Sequence, residues 1–160
     1  MYDHEETDSL DTRIRLKFGL ESQKPQLYSP LVLAYIGDGI YELIIRTIVV
    51  AQGNRQVNKL HRQASRYAKA QAQSEMMKTL LPLLAEEERR IYMRGRNAKS
   101  HTTAKHASVN DYRRATGFEA LIGYLYLQGS MERLLELVKT AVENYTPKEH
   151  TGMEARNAYD

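Results

Sequence analysis

A single all-α domain is the fold that this sequence predicts, and three observations carry the prediction. Four prolines, two phenylalanines and no tryptophan sit among long runs of Leu, Ile, Ala, Glu, Lys and Arg, which favours helices over a β-sandwich. Apolar residues recur at helical spacing between recognisable start and stop residues. No repeat or domain boundary divides the 160 residues, enough for one domain with a real core.

Residues 1–28 read as an N-terminal extension with at most a short helix near Thr12–Leu20. Ser29-Pro30 is a helix start, with Ser as N-cap and Pro in the first turn, and the helix runs to Val50 before Gly53-Asn54. Further helices are expected over Val57–Ala70, over Ala72–Leu81 before Pro82, and over Ala85–Arg94, where Glu86, Glu87 and Glu88 suit the positive end of the helix dipole. Residues 95–109 are small, polar and basic and read as a long loop, a place where function concentrates. Asn110 is expected to cap a helix over Asp111–Leu127, closed by Gly129. A last helix covers Met131–Tyr145, and residues 146–160 form a tail, which leaves 29–145 as the domain proper.

Several classes fall away. Without cysteine there are no disulfides and no thiolate zinc sites, and a reducing cytoplasm is the expected home. The acidic start, MYDHEETDSLD, resembles no secretory signal. Leu31–Val50 has the length of a membrane span, but Asp38, Glu42 and Arg46 interrupt it, so a buried helix and no membrane partner are expected. The five histidines show no zinc-binding spacing.

The net charge of +3 conceals an asymmetry. Residues 1–11 hold five acids and no Lys or Arg, so the remainder carries +8. Segment 89–114 alone holds eight bases against one acid, Asp111. A solvated helix face normally mixes signs, so this concentration points to an anionic partner such as nucleic acid.

Two acids stand in unusual surroundings. In the run Leu33–Ile45 the only acids are Asp38 and Glu42, one turn apart; in Phe118–Leu127 the single charge is Glu119. Helices this apolar are expected to be central, and a buried carboxylate must be paired, protonated or bound to a cation. Gly37, Gly39 and Gly123 weaken these helices by about 1 kcal/mol each relative to Ala, which makes sense where a backbone or ligand comes close. Two readings stay open. The acids form structural salt bridges with arginines such as Arg46 or Arg114, or they converge on a hard cation beside the basic segment, an arrangement suited to phosphodiester cleavage.

Tyr35-Ile36-Gly37-Asp38-Gly39-Ile40 resembles the signature helix of the ribonuclease III family, whose core is a Leu-Gly-Asp-Ala step carrying a catalytic aspartate. Phe118-Glu119-Ala120-Leu121-Ile122-Gly123, with Tyr126-Leu127, resembles its second acidic helix. Arg94-Gly95-Arg96-Asn97-Ala98-Lys99-Ser100 is similar to the Mini-III branch, which has the nuclease domain without a double-stranded-RNA-binding domain. The match covers about residues 29–143.

The resemblance implies a ribonuclease III-type helical bundle in which Asp38 and Glu119 are catalytic carboxylates binding Mg2+. Larger members use two further acids, and here those positions are Ala34 and Thr116. It also implies a homodimer cutting both strands of double-stranded RNA to leave 5′-phosphate and 3′-hydroxyl ends, and a role in maturing precursor 23S ribosomal RNA. A helix bearing Tyr35, Tyr41, Ile44 and Ile45 independently suggests a dimer, having more apolar faces than so short a chain covers.

For RNA binding, Arg94, Arg96 and Lys99 are expected to neutralise phosphates and Asn97, Ser100, Thr102 and Thr103 to reach sugar hydroxyls. Arg62, Arg66 and Lys69 line a second helix face that could touch RNA. The rival readings are a non-catalytic RNA-binding or ribosome-assembly module with a degenerate site, and an α-helical protein-interaction domain, which would leave the 89–114 charge unexplained.

Overall fold

The computed structural model describes residues 9–99 and 108–148. Among these there are seven α-helices and no strand: α1 (Leu10–Phe18), α2 (Pro30–Ala51), α3 (Val57–Ala68), α4 (Ala70–Leu80), α5 (Glu86–Asn97), α6 (Val109–Gln128) and α7 (Met131–Glu143). No helix among them is long and apolar enough to cross a membrane.

Local chemistry sets most of the ends. The Ser29 hydroxyl accepts from the backbone N–H of Val32 at 3.3 Å, and Pro30 opens α2. Gly129, at φ +80°, closes α6 in the left-handed conformation that glycine adopts without strain. Two expected ends move. The α6 cap is Ser108, whose Oγ accepts from Asp111 N–H at 3.1 Å, so Asn110 lies inside the helix. Helix α5 runs three residues past Arg94, because Gly95 faces another helix and serves packing there instead of stopping the chain. A single extended residue, Lys69, separates α3 from α4.

The core is built around α6, which buries Ala115, Gly117, Phe118 and the whole stretch Ala120–Tyr126. Its centre is an edge-to-face contact between Tyr41 and Phe118, with ring centroids 5.0 Å apart. The Tyr41 hydroxyl donates to the carbonyl of Tyr67 at 2.7 Å, which satisfies its one polar group. Helix α7 closes the core with Leu134, Leu137, Val138 and Ala141. Glu88 ties it to α5: its carboxylate accepts from Arg133 Nε and Nη2, both at 2.9 Å, and from the N–H of Ala85 at the start of α5. The guanidinium holds the Glu88 carboxyl below its usual range.

Helix α2 is less central than its composition suggests. One face buries Leu33, Ala34, Gly37, Tyr41, Ile45 and Val49, while Val32, Tyr35, Leu43 and Val50 lie exposed on the other. Tyr41 and Ile45 are thus core residues of a single chain and unavailable to a partner. Packed by α6, α3 and α5, α2 leaves the apolar side chains of Val32, Tyr35, Leu43 and Val50 uncovered among the described residues.

Candidate active site

The two isolated acids meet because α2 and α6 cross at glycines. A Cβ on Gly37 would collide with the carbonyl oxygen of Glu119, and one on Gly123 would collide with the carbonyl oxygen of Leu33. Only residues without side chains permit backbones this close. The crossing places Asp38, the next residue along α2, beside Glu119 on α6. Gly39 makes no such contact, with open space where its Cβ would lie.

Both carboxyls are electrostatically uncomfortable. Burial pushes Glu119 up to about 8, the Asp38 charge adds to the shift, and hydrogen bonding by Gln73 opposes it. Asp38, exposed on α2, is raised by partial desolvation and by the Glu42 charge. No described arginine or lysine pulls either carboxyl back down. Arg46 pairs with Glu42 at 3.1 Å, so the salt bridge that was one expectation for Asp38 goes to its neighbour. Two carboxyls held together with no described arginine or lysine acting on them form a pair whose ionised state a divalent ion would stabilise. Among the described residues, no group of three or more His, Asp or Glu assembles there. Ala34 is buried, and the Thr116 hydroxyl donates to the Tyr112 carbonyl at 3.0 Å, so neither position supplies a third carboxylate.

The basic segment divides. Arg94 donates to the carbonyls of Gln26 and Tyr28, at 3.2 and 3.3 Å, tethering the chain before α2. Arg96 is half-buried, its charge felt by the Tyr92 hydroxyl. Asn97 and Lys99 are exposed. Arg94, Arg96 and Asn97 therefore ride on α5, and the expected loop begins only after it. Ser100, Thr102 and Thr103 lie outside the described residues.

One residue at the site escaped the sequence reading. Gln73 of α4 is 1% exposed, buried with Ala72, Ser74, Met76, Met77 and Leu80, and it acts on Glu119. A polar residue at a core position of an amphipathic helix is the signal that would have found it.

A crystallographic neighbour and two sequence relatives bear on this geometry. The helical arrangement is similar to that of a protein from Fusobacterium nucleatum whose crystal structure matches with a TM-score of 0.69, at 31% identity, covering 76% of this chain and 98% of that one. The family model described as "Ribonuclease III domain" matches residues 31–130, which include both carboxylates. The chain belongs to the ribonuclease III family. Within it the similarity is to Mini-ribonuclease 3 proteins. The one from Thermoanaerobacter sp. is 56% identical over 72% of this chain and 81% of its own length. The one from Brevibacillus brevis is 50% identical over 75% of this chain and 90% of its own length. Family membership makes the chain an endoribonuclease and gives the Asp38–Glu119 crossing a context: it lies inside the ribonuclease III domain, between its first and last helices.

Proposed function

We propose that the chain is a Mg2+-dependent endonuclease of double-stranded RNA that works as a homodimer, with Asp38 and Glu119 as the catalytic, metal-holding carboxylates of each protomer. The observation that carries this reading is the uncompensated pair: two adjacent carboxyls, one pushed up to about 8, with no arginine or lysine among the described residues drawing either down. Magnesium accepts one or two carboxylates and completes its shell with water and substrate phosphate, so the residues present fit it. When bound, the ion lowers the pKa of a coordinated water and offsets charge on the phosphate. Asp38 and Glu119 must shed their protons to serve, and the Gly37–Gly123 crossing holds them in place while they do. Arg96 and Lys99 neutralise flanking phosphates, with Asn97, Ser100, Thr102 and Thr103 at sugar hydroxyls. Val32, Tyr35 and Leu43 on the open face of α2 form the dimer contact. The products carry 5′-phosphate and 3′-hydroxyl ends, and the substrate is precursor 23S ribosomal RNA in the cytoplasm.

The test is cleavage of a duplex RNA by the purified protein with Mg2+ and then with a chelator, beside Asp38→Asn and Glu119→Gln. Both variants are expected to stay folded and to bind RNA without cutting it. Wild-type turnover by either variant removes that residue from the mechanism. RNA binding without Mg2+-dependent cutting by the wild type favours the non-catalytic module, for which the absence of acids at Ala34 and Thr116 is the supporting observation.

A further inference from the structure

Among the described helices, α3 alone carries basic residues and no acidic one. The acids nearest to it in sequence are taken, Glu42 by Arg46 at 3.1 Å and Glu75 by Lys78 at 3.0 Å. Lys59, Arg62 and Arg66 are exposed and enter no ion pair among the described residues. With Arg55, which donates to the Gln63 side chain at 3.4 Å, they recur at intervals of four, three and four residues. That spacing stacks side chains on one helix face, here opposite Ala64, the residue that α3 buries. Like charges so spaced destabilise a helix, and a cation in the first turn, Lys59, opposes the dipole. A face built for solvent mixes signs, as α5 and α7 do where Arg90 meets Glu86 and Lys139 meets Glu143. The α3 face is built for an anion instead.

The helix also lies beside the carboxylate pair. Tyr41, three residues beyond Asp38, donates its hydroxyl to the carbonyl of Tyr67 at 2.7 Å. This bond ties the end of α3, next to Arg66, to the part of α2 that carries Asp38. Together α2 and α3 line a cavity of about 210 Å3, with Glu42, one turn beyond Asp38, on one wall and His61, Ser65 and Ala68 on the other. We propose that Lys59, Arg62 and Arg66 form a second phosphate track of the nuclease, on which one strand of the substrate duplex rests as it leaves the Asp38–Glu119 site. The inference rests on the reading of the chain as an endonuclease of double-stranded RNA. Lys59 and Arg66 are seven residues apart, about 10 Å along the helix, enough to meet successive phosphates of one strand. Single-stranded RNA is held on exposed aromatic rings, and this face has none. Tyr67, the one aromatic residue of α3, is half-buried against Tyr145, with ring centroids 5.9 Å apart. Duplex RNA asks for backbone contacts without stacking, and such contacts position the duplex without reading its sequence.

The experiment measures duplex RNA binding in chelator across salt concentrations, and duplex cleavage with Mg2+. A triple variant, Lys59→Gln with Arg62→Gln and Arg66→Gln, is compared with the wild type. A control triple, Lys17→Gln with Lys78→Gln and Lys139→Gln, removes the same charge from α1, α4 and α7. For the α3 variant the log–log salt slope of binding is expected to fall by about one per residue, about three in all. Its affinity at low salt is expected to weaken by about tenfold or more. KM should rise alike for duplexes of unrelated sequence, with less change in kcat, and the melting temperature should not fall. The control is expected to keep the wild-type slope. If the α3 triple does not fold, Arg62→Gln alone replaces it, with an expected slope change of about one. A wild-type slope in the folded α3 variant, while the wild type cuts duplex RNA, overturns the track and leaves the nuclease reading standing. Slopes lowered equally in the α3 variant and the control overturn it as well, because net charge alone would account for them. A wild type that neither binds nor cuts duplex RNA overturns both.

Discussion

Gly37 of α2 lies directly against the backbone of Glu119 on α6, so close that the smallest side chain would strike the Glu119 carbonyl oxygen. This contact joins one proposed metal-holding carboxylate, Glu119, to the residue preceding the other, Asp38. Packing and site geometry are therefore set by the same few atoms.

Three glycines of the two apolar helices, Gly37, Gly39 and Gly123, should respond differently to a methyl group. Gly37→Ala and Gly123→Ala must push α2 from α6, with an expected loss of about 1–3 kcal/mol or more. Cleavage should fall further than stability does, because the carboxylates separate. Gly39→Ala meets open space and is expected to gain about 0.4–1 kcal/mol with activity retained. Thermal unfolding and duplex cleavage check all three, and equal effects at Gly37 and Gly39 would contradict the crossing.

The raised Glu119 gives a pH dependence with a definite sign. In metal-free protein its folded value is about 8 against an ordinary 4.5, so it keeps a proton that the unfolded chain has released. Its stabilising contribution is complete below the ordinary value, falls as pH rises toward about 8, and is then fully lost. Glu119→Gln carries no such dependence. In chelator, the melting temperature of the variant relative to wild type is expected to rise between about pH 5 and about pH 8 and then level off. A difference that stays constant with pH would mean that Glu119 ionises normally.

The arginines of α5 should separate by role. Arg94→Ala removes two hydrogen bonds to the chain before α2 and is expected to lower the melting temperature. Replacing Arg96 and Lys99 together should leave stability nearly unchanged, raise KM for duplex RNA and flatten its salt dependence. Each neutralised phosphate lost reduces the log–log slope by somewhat under one, roughly as for DNA. An unchanged KM and slope in the double variant would move the RNA contacts elsewhere, to the α3 face bearing Arg62 and Arg66.

Tyr35, 83% exposed between Val32 and Leu43, is the centre of the proposed dimer face. Tyr35→Arg is expected to convert a dimer into a monomer in sedimentation and to abolish coupled cutting of both strands. A wild-type monomer at micromolar concentration with full duplex cleavage would rule out the dimer.

What the sequence determined by itself is local. Ser29-Pro30 and Gly129 mark helix ends through their own backbone chemistry, the apolar periods assign the helices, and a lone acid in an apolar run stands out whatever the fold. The tertiary structure decided what depends on partners far along the chain. Glycine reads as a breaker or as a contact, and only α6 lying against Gly95 makes it a contact, which carries α5 on to Asn97. Arg94 reads in the sequence as a phosphate ligand, and only the fold shows that it also donates to the carbonyls of Gln26 and Tyr28. The partner of a carboxylate is not written in its neighbourhood either. Glu42 took Arg46, while Asp38 and Glu119, 81 residues apart in sequence, were left beside each other and Gln73. Hydrogen bonds and charges act over a few ångströms of space, and only the folded chain establishes which residues come that close.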